Sequence, residues 1–154
     1  MILTIEQIIL RCIGAFGGTL GYAYILNAPV STVLPASITG LVGYLIYELL
    51  VNFAGCGALF AYFISTVVIS VACEIEARVM RMPSTIFLLT ALVPLVPGYT
   101  FYLAMLSMVE DKGYLAAAYG LEAVQIVAAI AVGAAVTSVL FRTMMAKPWK
   151  KKTV

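Results

Sequence analysis

The chain has 154 residues, 64% of them hydrophobic and only 10% charged, with a formal net charge of +2 and no histidine. A soluble domain carries about 25% charge, so a water-facing globule is excluded; apolar runs near the roughly 20-residue length of a bilayer span recur instead. Those runs are continuous Leu, Val, Ile and Ala rather than the short alternating strands of a membrane barrel. They predict an all-α integral membrane protein, a bundle of about five transmembrane helices, and the missing His removes Ser-His-Asp or Cys-His catalysis and any His-bound metal.

The N-terminus "MILTIEQIIL" lacks a basic region and a small-residue cleavage site, which argues against a cleaved signal peptide. The first span runs from about Ile5 to Leu26. Within it Gly14, Gly17, Gly18 and Gly21 fall at i, i+3, i+4 and i+7, on one helical face. In lipid, helices associate through close backbone contact, which small residues permit. That face reads as a packing seam, with a sliding surface or an approach to substrate as alternatives. Glu6 and Arg11, near the start of the span, read as interfacial.

After the joint "NAPVS" the second span covers about Val33 to Val51 and carries Gly40 and Gly43. Glu48, near its outer end, also reads as interfacial. The joint "NFAGCG" leads to a third span, about Ala54 to Ala72, whose helix continues past the membrane as "CEIEARVMRMP". There Glu74 and Arg78 are four apart with the acid first, a favourable helical pair. The cluster reads as a solvated cytoplasmic end, with a docking surface as the alternative. Pro83 ends that run, and Ser84 or Thr85 can cap the next helix.

The fourth span, about Thr85 to Val109, holds the least ordinary stretch, "VPLVPGYT" at 93–100. A proline removes an amide donor and clashes with the carbonyl four residues back. Pro94 and Pro97, followed by Gly98, free several carbonyls near mid-span, where unsatisfied backbone costs several kcal/mol unless it faces protein or a water-lined cavity. Transporters bind polar solutes at such discontinuous helices: half-helix N-termini attract carboxylates and loosened carbonyls accept ammonium or hydroxyl donors. A simple kink is the bland alternative. On the functional reading Pro94, Pro97, Gly98 and Tyr99 shape a substrate site and Tyr102 lines it.

The joint "EDKG" opens the fifth span, about Tyr114 to Phe141, with Gly120 and Gly133. Glu122 lies about two turns inside it, with Gln125 one turn further along the same face. A charge in a bilayer costs at least ~2.5 kcal/mol on insertion scales, so Glu122 is expected to face the bundle interior. It is the proton-coupling candidate or a partner for a substrate amine, with a structural hydrogen bond to a neighbouring helix and a headgroup-level position as the other readings; Gln125 joins the substrate-binding candidates. Cys12, Cys56 and Cys73 are far apart, without metal or disulfide spacing, and read as small apolar residues.

Residues 1–146 thus form one transmembrane domain, and 147–154, "KPWKKKTV", a short basic tail with Trp149 at the membrane boundary. Seven basic residues (Arg78, Arg81, Arg142, Lys147, Lys150, Lys151 and Lys152) fall on one side and two, Arg11 and Lys112, on the other. The positive-inside rule then sets the N-terminus outside and the C-terminus in the cytoplasm. The tail beside a span is a topology signal, not a nucleic-acid site.

"PLVPGYTFYLAM" (Pro94 to Met105), preceded by "MPSTIF", resembles the Pro-x-x-Pro-Gly span of the threonine/serine exporter (ThrE-like) family. "LNAPVSTVLPASITGLVG" resembles that family's Asn-x-Pro-Val joint and second span. Length and span count are similar to its small, separately encoded subunit of the YjjB type. The resemblance implies half of a ten-span, proton-driven exporter of the plasma membrane, paired with a larger membrane subunit that carries an additional cytoplasmic domain. The expected solute is small and polar, threonine or serine first, although a small dicarboxylate also suits a half-helix dipole. A non-transporting scaffold acting through the glycine face, and self-association, are further possibilities. No cofactor, metal or enzymatic activity is expected.

Overall fold

The computed structural model describes residues 5–53 and 55–145. The described residues are helical, without strands: α1 (Ile5–Ile25), α2 (Val30–Asn52), α3 (Ala58–Met80), α4 (Ser84–Ala91), a 3₁₀ turn (Val93–Leu95), α5 (Gly98–Val109) and α6 (Gly113–Met145). The basic tail, Trp149 included, lies outside the described residues.

One left-handed residue marks each joint: Asn27 (φ 51°), Gly55 (φ 61°), Arg81 (φ 54°) and Asp111 (φ 58°). Asn, Gly and Asp reach that region at little steric cost. Three of these ends close by the six-to-one bond of the Schellman motif: Ala28 N–H to the Ala23 carbonyl (3.0 Å), Met82 to Ala77 (3.0 Å) and Lys112 to Ser107 (2.9 Å). Pro83, not Ser84 or Thr85, occupies the N-cap of α4, and no side chain caps it. The expected hydroxyl cap is absent because the helix begins at Ser84 itself.

Helix direction follows from side-chain neighbours. Arg11 meets Glu48, so α1 and α2 are antiparallel. Tyr47 stacks on Tyr62 with ring centroids 4.4 Å apart, and Thr39 donates to Glu76, so α2 and α3 are antiparallel too. Thr66 faces Gly133 and the Arg78 guanidinium lies 5.0 Å from the Phe141 ring centroid, so α3 and α6 run parallel. The chain must therefore cross the bundle between them. The α4–α5 segment makes that crossing, bent by 54° at its break, and the bundle has five passes with its ends on opposite sides.

Ile69, Cys73, Phe87, Ala91 and Leu95, each at most 1% exposed, form the core where α2, α3 and α4 meet. Close packing at glycine locks it. A Cβ at Gly43 would fall 2.2 Å from Ile69 Cδ1; one at Gly40 would lie 3.0 Å from the Ala91 carbonyl oxygen; one at Gly133 would lie 3.1 Å from that of Phe63. The four glycines of α1 behave differently: among the described residues nothing beyond the helix's own backbone lies within 4 Å of a Cβ at Gly14, Gly17, Gly18 or Gly21. The seam expected there is not used inside the chain, because α1 packs through its other side, where Thr19 and Ala23 are fully buried.

The charged end of α3 is helical to Met80, as expected, and Glu74 pairs with Arg78 at 3.0 Å. Glu76 is not part of that solvated face: it turns inward and accepts a hydrogen bond from Thr39 of α2. Cys73 is buried, while Cys12 and Cys56 are half-buried.

Candidate functional site

The break in the fourth span is built by its prolines. Pro94 and Pro97 cannot donate; past Leu92, whose N–H still bonds to Leu88 (3.1 Å), Leu95 N–H turns to the Leu92 carbonyl (2.9 Å) and Val96 N–H to that of Val93 (3.2 Å). These tight bonds wind the 3₁₀ turn, and Gly98 N–H closes on the Val96 carbonyl at 2.7 Å. A new helix then starts at Gly98, so its first-turn amides, which no helical carbonyl can reach, lie beside the break.

A cavity of about 760 Å³ opens there. Pro94, Val96, Pro97, Gly98, Tyr99 and Thr100 form one wall, so the N-terminus of α5 faces the space. Gly57, Ala58 and Leu59, at the start of α3, form another. Two helix N-termini therefore converge on one cavity, and each brings a partial positive charge and free amide donors.

A further part of the lining is ionic. Arg11 Nη1 donates to Glu48 Oε1 at 3.0 Å; Tyr44 Oη donates to the same oxygen at 2.7 Å; Asn52 Nδ2 donates to Oε2 at 2.6 Å. Glu48 is only 3% exposed, whereas the Arg11 side chain is 51% exposed. The α1–α2 crossing turns these two residues onto each other and into the cavity wall. A guanidinium has five N–H donors, so Arg11 can hold Glu48 and still offer donors to a solute. Glu122, Gln125 and Ile126 of α6 and the Tyr47 and Tyr62 rings complete the lining.

Of the residues singled out in the sequence, Pro94, Pro97, Gly98, Tyr99, Glu122 and Gln125 all line this cavity. Glu122 and Gln125 line it while remaining exposed, not enclosed by this chain. Tyr102 sits one turn beyond Tyr99, is 58% exposed and does not line the cavity. Sequence reasoning missed Arg11, Tyr44, Glu48 and the α3 N-terminus. A signal existed: Tyr44, Glu48 and Asn52 are spaced four apart, one polar face in an otherwise apolar span. Arg11 had no such local marker.

The lining joins the donors of Arg11 and of the helix starts to the carboxylates of Glu48 and Glu122 beside a broken helix, groups that can hold a small polar solute. No cluster of three or more His, Cys, Asp or Glu able to hold a metal occurs among the described residues. No curated protein and no solved structure matches the chain. A family model described as "Threonine/Serine exporter, ThrE" matches residues 11–140, a stretch that takes in the cavity from Arg11 to Ile126. With five helical passes, a Pro-x-x-Pro-Gly break and that match over most of its length, the chain belongs to the threonine/serine exporter family of membrane transport proteins.

Proposed function

We propose that the chain is the small subunit of a two-part secondary exporter that carries threonine or serine out across the plasma membrane, driven by the proton gradient. The observation that carries this reading is the polarity of the cavity. The solute carboxylate meets the α5 and α3 N-termini and the spare donors of Arg11, and the ammonium meets Glu48 and Glu122. The presence of both kinds of group in one cavity lining suits a zwitterion. A dicarboxylate fits less well, because two acidic side chains against one basic side chain repel a second anionic group.

Glu122 and Tyr99 of the lining are exposed, and the larger subunit covers them, placing the broken helix at the interface between halves. The N-terminus lies outside and the C-terminus in the cytoplasm. Arg78, Arg81 and Arg142 then gather at the inner end, with Arg11 and Lys112 at the outer, and the cavity belongs to the outer half of the membrane.

Counterflow of labelled serine into vesicles holding both subunits tests the proposal. Uptake competed by threonine but not by a small dicarboxylate is expected. Competition by the dicarboxylate alone would reassign the solute, and no counterflow of either would leave a scaffold.

A further inference from the structure

Hydroxyls buried in a membrane helix satisfy themselves by donating to the carbonyl one turn back. Four in this bundle do so: Thr19 to Ala15 (2.7 Å), Ser37 to Val33 (2.7 Å), Thr90 to Ile86 (2.9 Å) and Thr137 to Gly133 (2.9 Å). Three on α3 do not. Ser65 Oγ, Thr66 Oγ1 and Ser70 Oγ are buried without a hydrogen-bond partner among the described residues, and each side chain is at most 2% exposed. The fourth such atom, Glu76 Oε2, lies on the same helix. Buried polar atoms without partners are rare and each calls for a cause. Four of them, all on the buried side of one helix, call for a common one.

Their order along α3 suggests it. Tyr62 lines the cavity; Ser65 and Thr66 follow one turn on, then Ser70, then Glu76. At about 1.5 Å per residue, Tyr62 and Glu76 are separated by ~21 Å along the helix. Glu76 Oε1 accepts from Thr39 while Oε2 is unclaimed. Among the described residues no basic side chain pairs with Glu76, and Arg81, just after α3, is exposed. Thr39 is what α2 presents, and α4 carries no titratable side chain. On α6, Tyr114, Tyr119 and Glu122 lie toward the far end, and Arg142 is exposed. On α3 itself Glu74 is engaged by Arg78, and Cys73 sits one turn before Glu76. An ionised carboxylate here has one hydroxyl donor at Oε1 and no cation among the described residues, and a proton on Oε2 relieves it.

We propose that Glu76 is the proton-carrying carboxylate of this subunit, and that Ser65, Thr66 and Ser70 line a hydrated proton path joining it to the cavity. The inference rests on the exporter reading and moves the coupling role from Glu122 to a group outside the solute site. A proton arriving from the cavity forms an O–H bond at Glu76 Oε2. Its release toward the cytoplasmic end breaks that bond and restores the carboxylate. One proton enters and one leaves, with no redox partner. Glu122 is left to bind solute.

Two measurements on the full chain test this. In lipid vesicles, infrared spectra across a pH series should show a carboxylic-acid C=O band that titrates, persists in Glu122→Gln and is absent from Glu76→Gln. With both subunits present, Glu76→Gln should keep serine counterflow within about twofold of the parent but lose at least about tenfold of the stimulation by an inward proton gradient. The Ser65→Ala, Thr66→Ala, Ser70→Ala combination should lower that stimulation while keeping the infrared band. Full gradient response in Glu76→Gln, or no acid band tied to Glu76, overturns the proposal. If the parent moves no serine in either mode yet the Glu76 band titrates, the exporter reading fails and the proton site stands.

Discussion

At the scale of single residues the decisive pair is Arg11 and Glu48. Hydrogen bonds to a charged group are worth about 1.5–3 kcal/mol each, and Glu48 accepts three from side chains while 3% exposed. Removing its charge weakens all three and takes away the anchor proposed for the solute ammonium. Glu48→Gln should therefore raise the serine concentration for half-maximal counterflow about tenfold, equivalent to ~1.4 kcal/mol. It should also lower the melting temperature of the purified subunit. Unchanged counterflow with lowered stability would make the network structural alone. The Tyr44–Glu48–Asn52 spacing was legible in the sequence; its partner on α1 was not, because 37 residues separate Arg11 from Glu48 and only the helix crossing joins them.

At the scale of elements the fourth span matters most. Two prolines and a glycine within five residues foretold its break, since the missing donors follow from residue type alone. The depth of the bend, 54°, and the cavity beside it come from packing: α4 sits against α2 and α3 in the core while α5 leans on α6. Replacing Pro97 and Gly98 together by Ala restores a donor and favours a continuous helix. Such a change draws the α5 N-terminus out of the cavity wall. Export is expected to fall to background while the subunit still inserts, checked by counterflow and by membrane fractionation. Wild-type counterflow in that variant would remove the broken helix from the mechanism.

At the scale of the whole molecule the glycines divide into two classes. Gly40, Gly43 and Gly133 touch neighbouring helices, and a Cβ there costs about 1–3 kcal/mol of overpacking. Gly14, Gly17, Gly18 and Gly21 face outward with open space around them. On the two-subunit reading, Gly17→Leu with Gly18→Leu should leave the melting temperature of the isolated subunit unchanged and abolish co-purification with the larger subunit. Gly40→Ala should do the reverse, lowering stability in the isolated chain. Equal destabilisation by both changes would mean that the α1 face packs within this chain after all.

Composition, span length and imino-acid placement determined the membrane class, the five passes and the broken helix, because hydropathy and missing donors are properties of residues taken in order along the chain. Only the tertiary structure decided that Arg11 and Glu48 share a cavity wall, that two helix N-termini converge on it, and that Glu76 turns inward while Glu74 does not. Those facts depend on which helix faces which, and nearly uniform apolar spans carry almost no periodicity from which to read it.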